Sequence, residues 1–523
     1  MSDMAVSQVW FIDEIIRSIL AHLPTNGCRP TLARCARVSR SLSDPALDAL
    51  WYKMSGLMPL IRLLPRTFAE LRNDNGNEAT FMLRDAIDGS EWSRLLVYAR
   101  RVRKFVHCYA EGPEDRLGKQ TFTALLDLAT LHSTTLFPRL EELSWLQFSH
   151  VAQCLPFFSP PLRRITVYVQ AEYPARHDME AALTSRHVVP GGYGELLHTL
   201  SVLSPCLEEL SLEGIELPDS LAPSVVFSHL RTLHLGSVST PTSVILSLCS
   251  KIPRLASLSL VLRSSYRNGP LPLHRSHDSD GSHSEIACLS SLEVLRVAGA
   301  PCDIEDILNA VDSPSFHSIT MSVTLPEYDA DGWTRCSSIL SARFARSLRT
   351  VRAQCKRSAA LIPPHARSFE EYVGPLLTLR HIADCSISVE DPAGVTMTDA
   401  DLEDMATSWP YLRTLEVRLR GGAPAVTLPS ISSLSVFAKF CPELQSLHLP
   451  LMQDIHPSEL KGIPACTAVD MHPRWSSPTR LRSLWMVGVR FSMQESTRVA
   501  SFLRGYFPDV DLRPMVAAGI LTL

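Results

Sequence analysis

The side chains able to do chemistry are densest between residues 274 and 285, where His274, His277, Asp278, Asp280 and His283 stand among serines. Imidazoles and carboxylates are ligand types for a divalent metal, and with a serine they are the parts of a nucleophilic relay. Metal ligands need rigid placement and support from behind. The surrounding 263–285 stretch, RSSYRNGPLPLHRSHDSDGSHSE, is polar and aperiodic and reads as a mobile surface loop. No metal site is therefore expected there, and no Gly-x-Ser-x-Gly elbow exists to hold a nucleophile. Gly191-Gly192-Tyr193-Gly194 lacks the spacing of a phosphate-cradling loop, and no Walker sequence is present. The thirteen cysteines contain no Cys-x-x-Cys pair and no zinc-ligand spacing. Cys249 and Cys441 fall on apolar helix faces, where a thiol serves as a small hydrophobe. The expectation is a chain with no cofactor, no metal and no enzymatic activity of its own.

A basic run, Arg100-Arg101-Val102-Arg103-Lys104, closes an amphipathic stretch around Trp92, Leu95, Leu96 and Tyr98. It could be a nuclear import signal or a partner patch; the more usual reading is a solvated helix end. The rest of the composition argues for binding rather than for a charged polymer or lipid as partner. Of 523 residues, 45% are hydrophobic and 20% charged, a folded and soluble composition. The net charge of −4 gives no global field for nucleic acid or an anionic membrane. The apolar stretch from Val9 to Ile12 follows no basic region and is broken by Asp13 and Glu14, so no signal peptide is expected. No apolar run approaches the ~18 residues of a membrane span. The odd, scattered cysteines and the lack of any Asn-x-Ser/Thr acceptor suit a reducing compartment, cytoplasmic or nuclear.

What positions side chains here is a repeat. From about residue 140 an apolar residue returns at positions 1, 4 and 6, as in Leu140-Leu143-Trp145, Leu230-Leu233-Leu235, Leu255-Leu258-Leu260 and Leu444-Leu447-Leu449. Ten such phrases, with weaker copies beginning at Leu348 and Leu379, make twelve candidates. Pro138, Pro205, Pro253, Pro314, Pro410 and Pro442 each stand two residues before an anchor, where proline ends a helix and opens a strand. Upstream lie helical faces at 0, 3, 4, 7 spacing, such as Ile245-Leu248-Cys249-Ile252 and Ile304-Ile307-Leu308-Val311. The unit is helix, proline, short strand, which is the pattern of a leucine-rich-repeat-like solenoid. Anchor spacing runs from 22 to 45 residues, and Ile215, Val238, Arg263, Ala300 and Met452 stand where a laddering asparagine is usual, so an irregular horseshoe is expected. Glu213, His234, Arg296, Glu416 and His448 alternate with the anchors and are candidates for a partner-facing surface, against the plainer reading of solvated strand positions.

Ahead of the repeats, three short amphipathic helices are expected between Trp10 and Met54. Ile12, Ile15, Ile16, Ile19, Leu20 and Leu23 form one wide apolar face that Pro24 ends. Thr31 can cap a second helix, and Asp44-Pro45 reads as the start of a third carrying Leu47, Leu50, Trp51 and Met54. Surplus apolar surface on so small a unit calls for a partner or for the chain's own next domain.

This segment, FIDEIIRSILAHLPTNGCRPTLARCARVSRSLSDPALDALWYKM, resembles an F-box: an opening pair (Phe11-Ile12, where the family has Leu-Pro), Glu14-Ile15-Ile16, Ile19-Leu20, Leu23-Pro24, and a closing Trp51, with Leu42 where a tryptophan is frequent. The resemblance implies binding to the adaptor of an SCF-type cullin–RING ubiquitin ligase, with the repeats holding an unidentified protein substrate for ubiquitination. Residues 8–55 are then the adaptor-binding segment, 56–135 a helical connector and 136–523 the solenoid, an α/β architecture. Phe11, Ile12, Ile15, Ile16, Leu32, Val38 and Leu42 are expected at the adaptor surface, some of them shared with the segment's own core, and Trp51 as an internal anchor. The alternative is a leucine-rich-repeat scaffold not coupled to a ligase.

Overall fold

An extended chain turns successive side chains to opposite faces, so positions 4 and 6 of the apolar phrase share one face and position 5 takes the other. A computed structural model of the chain describes residues 13–23, 27–64, 68–72, 79–83, 88–108, 135–147, 151–169, 192–214, 217, 225–263, 289–326, 329–357, 366–421, 427–450, 480–487, 491 and 493–521. The 274–285 cluster lies outside them, as do Phe11, Ile12, Ile215 and Met452. The chain divides into two units, Met1–Arg254 and Leu255–Leu523.

The first unit opens with α1 (Asp13–Ala21), α2 (Arg29–Cys35) and α3 (Arg40–Trp51), then β1 (Lys53–Met54) and α4 (Met58–Ile61). An antiparallel hairpin, β2 (Phe68–Arg72) and β3 (Ala79–Leu83), precedes α5 (Gly89–Ala99) and β4 (Lys104–Cys108). The stretch expected as a helical connector therefore also contains strands. The repeats follow: β5 (Glu142–Gln147), a 3-10 turn at Val151–Phe157, β6 (Arg164–Val169), α6 (Gly192–Leu203), β7 (Glu209–Glu213), β8 (Thr232–Val238) and α7 (Thr242–Ser250). A parallel sheet runs β1-β4-β5-β6-β7-β8.

Its register shows why the phrase repeats. Phe105, Leu143, Ile165, Leu210 and Leu233 lie side by side, and so do His107, Trp145, Val167, Leu212 and Leu235. Stacking identical positions covers apolar side chains that no single repeat could bury. Val102-Phe105-His107 is thus a further copy of the phrase, concealed in the sequence by the histidine at position 6. The His107 ring stacks on Trp145 with centroids 4.2 Å apart, and burial pushes its pKa down to about 4.

The second unit contains β9 (Ser257–Leu262), β10 (Val294–Gly299), α8 (Pro301–Ala310), β11 (Ser318–Leu325), α9 (Gly332–Phe344), β12 (Thr350–Arg357), β13 (Arg367–Ser368) and α10 (Glu370–Val373). It continues through β14 (Asp384–Glu390), β15 (Val395–Thr396), α11 (Asp399–Ser408), β16 (Thr414–Arg420), α12 (Ser435–Phe440), β17 (Ser446–Pro450), β18 (Ser483–Val487), α13 (Met493–Tyr506) and α14 (Arg513–Ala517). Its parallel sheet runs β9-β10-β11-β12-β14-β16-β17-β18, while β13 and β15 pair separately. Leu258, Leu295, Ile319, Val351, Cys385, Leu415, Leu447 and Leu484 form one buried line across it. The copy expected to begin at Leu379 is displaced by three residues: the phrase of β14 is Ile382-Cys385-Ile387, with the thiol serving as the small apolar anchor. Leu379 is buried too, at the end of the 3-10 turn Gly374–Thr378 that precedes the strand.

Helices form where spacing and caps agree. In α8 the predicted face of Ile304, Ile307, Leu308 and Val311 is buried, and Pro301 opens the helix, where its missing N–H costs nothing. In α11 Thr398 and Asp401 close a capping box over two otherwise unpaired N–H groups. Past the end of β14, the buried carboxylate of Asp391 accepts from the Tyr372 hydroxyl (2.7 Å) and the Ala393 N–H (2.9 Å) and is ion-paired to Arg357 (3.3 Å). A Cβ at Gly421 would stand 2.6 Å from the carbonyl oxygen of Asp391, which explains a glycine where β16 ends.

Candidate protein-interaction surfaces

The three N-terminal helices enclose a small core of Ile16, Leu20, Leu32 and Ala46, with Leu23, Cys35, Ala36, Leu42, Ala49 and Leu50 packed around it. The single wide face expected on α1 is therefore divided. Ile16 and Leu20 point into the bundle, while Ile15 and Ile19, 37% and 46% exposed, point out of it. A 100° step per residue puts 15 and 19 on one line of the helix and 16 and 20 on the next. Of the residues expected at an adaptor surface, Ile16 and Leu32 are buried in the bundle and Leu42 is half-buried against it. Ile15 is exposed, and Val38, in the turn between α2 and α3, is 72% exposed. Ile19, outside that expected set, joins them. Phe11 and Ile12 lie outside the described residues. Trp51 packs on Tyr98 of α5, ring centroids 5.1 Å apart.

Two helix starts differ from the sequence reading. Helix α3 begins at Arg40, because the Ser39 hydroxyl caps it by accepting from the Leu42 N–H, and Pro45 lies inside it. Helix α2 begins at Arg29, which places Thr31 within it and Cys28 at its cap position. Both earlier starts lengthen the helices that carry Leu32 and Leu42 to the core.

The basic run at 100–104 is largely paired. Arg101, its side chain 12% exposed, donates to the carboxylate of Asp44 (2.6 Å) and to that of Asp48. Arg17 of α1 reaches Asp48 from the other side (2.6 Å). Burial opposes ionisation of Asp48, but the hydrogen bonds from Arg17 and Arg101 outweigh it and hold its carboxyl below the usual range. Arg103 pairs with Glu141 (3.2 Å) and Lys104 with Glu142 (2.8 Å). These cations tie α1 and α3 to the turn before β4 and β4 to β5; among the described residues only Arg100 of the run is exposed.

The second surface is the outward side of the strands. Glu213 and His234 are half-buried on the first unit's sheet. In the second unit one register line carries Arg296, Thr320, Arg352, Ser386, Glu416, His448 and Trp485. Glu416 accepts from the Ser386 hydroxyl (2.9 Å) and pairs with Arg418 (2.5 Å) and His448 (3.6 Å). Its carboxyl, which burial alone would raise, is held low by those donors and charges. Glu390, two lines further along the same face, pairs with Arg420 (3.2 Å). Arg352 was not legible as a surface candidate, since its phrase begins at one of the weaker anchors. No group of three or more potential metal ligands, and no helix long and apolar enough to cross a membrane, occurs among the described residues.

These features define a leucine-rich-repeat type of protein: parallel strands stacked in register on apolar anchors, with helices and turns returning between them. No family model matches the chain, and no curated protein matches it. Among solved structures it is similar to an internalin (inlF) from Listeria monocytogenes, with 11% identity, a TM-score of 0.36, and coverage of 88% of this chain and 94% of that one. It is also similar to the yeast complex of Rad7 and Elc1 (11% identity, TM-score 0.29, 87% and 89% covered) and to a complex of TLR13 with ssRNA13 (12%, 0.23, 75% and 54%).

Proposed function

We propose that the chain is a substrate-recruiting subunit of an SCF-type ubiquitin ligase, in which the N-terminal helices bind the cullin adaptor and the repeats hold a protein target. The observation that carries this reading is the divided face of α1. The bundle closes its own core with Ile16, Leu20, Leu32 and Ala46 and still leaves Ile15, Ile19 and Val38 exposed. Exposed aliphatic side chains on a segment that resembles an F-box fit a partner that covers them. The role needs no catalytic side chain: holding the target beside a loaded conjugating enzyme raises its effective concentration.

The test is co-precipitation of the purified full-length chain with the adaptor. Ile15→Asp and Val38→Asp are expected to reduce binding at least 10-fold; Val38→Asp leaves the melting temperature unchanged because its side chain is 72% exposed, whereas Ile15→Asp, at a side chain 37% exposed, lowers it modestly and is read beside Val38→Asp. Leu32→Ala is the stability control and is expected to cost about 2–5 kcal/mol. Wild-type protein that fails to retain the adaptor removes the ligase reading and leaves a leucine-rich-repeat scaffold. Binding undiminished in both aspartate variants removes this surface.

A further inference from the structure

Where α5 and α6 end, an apolar groove of about 610 Å³ opens on the first unit. Pro138, Pro160 and Pro205, from the turns that lead into β5, β6 and β7, line it and bring no N–H groups. Buried hydroxyls tie those turns together: Ser204 donates to the carbonyl of Ser159 (3.1 Å) and Ser159 to that of Leu140 (3.1 Å). The groove is therefore built before any ligand arrives. Val202 and Leu203 in the last turn of α6 line it too, and they are 61% and 40% exposed. Its hydrogen-bonding side chains among the described residues are Arg100 and Thr135. Arg100 is the member of the basic run left over. Arg101, Arg103 and Lys104 pair with acids, while the exposed Arg100 guanidinium has no partner among the described residues.

We infer that this groove docks an amphipathic helix of a protein partner, with aliphatic side chains on the prolines, Val202 and Leu203, and a glutamate or aspartate on Arg100. A small ligand buries about 70–90% of its surface in its site, and side chains as open as Val202 would leave one largely in water. A macromolecular partner covers them. An extended peptide needs a free strand edge to pair its backbone. Prolines offer none, so its N–H and C=O groups would lose water without gaining a partner. A helix satisfies those groups internally and presents an aliphatic stripe. One guanidinium in an otherwise uncharged groove matches one carboxylate, and a lysine in the same place would meet a like charge. The inference goes beyond the ligase reading and does not rest on it, since the groove shares no residue with the bundle's exposed aliphatic set.

The experiment measures binding of the full-length chain, by anisotropy, to three fluorescent pools of alanine-rich peptides about 18 residues long. Leucines are fixed at i, i+3, i+4 and i+7, and one turn further stands a glutamate, a glutamine or a lysine. The glutamate pool is expected to bind about 3-fold more tightly than the glutamine pool and about 10-fold more tightly than the lysine pool, a margin that narrows as salt rises. In Arg100→Glu the order is expected to invert, which an arginine with a merely structural role would not produce. Val202→Asp is expected to lower affinity for every pool about 10-fold. Arg94→Glu, at an exposed cation of α5 outside the groove, leaves the order unchanged. Melting curves check that these exposed substitutions keep the fold. Pools bound equally, an order that Arg100→Glu does not change, or full affinity in Val202→Asp overturns the site. Light scattering that shows a wild-type dimer broken by Val202→Asp also overturns it and gives the groove to a second copy of the chain. Adaptor retention is measured alongside. A chain that retains the adaptor but ignores every pool removes this site and leaves the ligase reading standing. A chain that binds the glutamate pool without the adaptor does the reverse.

Discussion

His107 takes position 6 of a repeat strand, where β5 to β8 place Trp145, Val167, Leu212 and Leu235. Its ring fits there as a flat, neutral surface on Trp145, and burial holds its pKa at about 4 against an ordinary 6.5. The folded chain therefore refuses a proton that the unfolded chain accepts between those values, and linkage fixes the sign. The stabilising difference is fully present above about pH 6.5 and is lost as pH falls toward 4. At about 1.4 kcal/mol per pH unit the loss amounts to roughly 3 kcal/mol across the window. Urea midpoints measured from pH 7 to pH 4.5 are expected to fall in the wild type and to fall less in His107→Phe, which keeps the ring and removes the titration. A variant with the same slope as wild type would assign the acid sensitivity to other groups. The same position explains why the phrase Val102-Phe105-His107 escaped detection: a pattern of apolar letters does not register a histidine that packs as an apolar plate.

At the scale of elements, Arg101 converts a basic run into a joint. Its guanidinium spans Asp44 and Asp48 on α3, Arg17 adds α1 to the same carboxylate, and Arg103 and Lys104 continue the pairing to β5. An exposed pair is worth up to about 1 kcal/mol and breaking a buried one about 3–5 kcal/mol. With Arg101 mostly covered and Asp48 more open, an Arg101–Asp48 double-mutant cycle is expected to give a coupling of about 1–2 kcal/mol. Amide exchange in α1–α3 is expected to quicken in Arg101→Ala while exchange in β6–β8 stays unchanged; quickening spread evenly over both would argue against a local joint. The helices themselves were readable from spacing, but their starts were not. Ser39, not Asp44, caps α3, because a short side chain that accepts an N–H bond competes locally with its neighbours and only the packed helix shows which one wins.

At the scale of the molecule, two surfaces carry the proposals, the bundle's exposed aliphatic residues at one end of the sequence and the proline-lined groove where α5 and α6 end. Neither shares a residue with the other, so the two binding activities are expected to separate. Val38→Asp should abolish adaptor retention and keep affinity for the glutamate pool within about 2-fold, and Val202→Asp should do the opposite. A variant that loses both together would point to a global defect, which melting curves would reveal. Independent loss fits a repeat architecture in which each strand is supported chiefly by its neighbours.

The sequence by itself determined the strand-forming phrase, the helical faces between phrases and the order of parts, because periods of 2 and 3.6 residues and the prolines that punctuate them are local properties of the chain. It also held the whole set of residues from which a binding surface could be drawn. Only the tertiary structure decided which of them were available. Ile15 and Ile16 are adjacent and chemically identical, yet one closes a core and the other faces solvent. Arg101 and Arg352 carry the same charge, yet one is paired with two carboxylates and the other forms no ion pair among the described residues. Burial and pairing depend on what the rest of the chain brings alongside a residue, and no local pattern contains that neighbour.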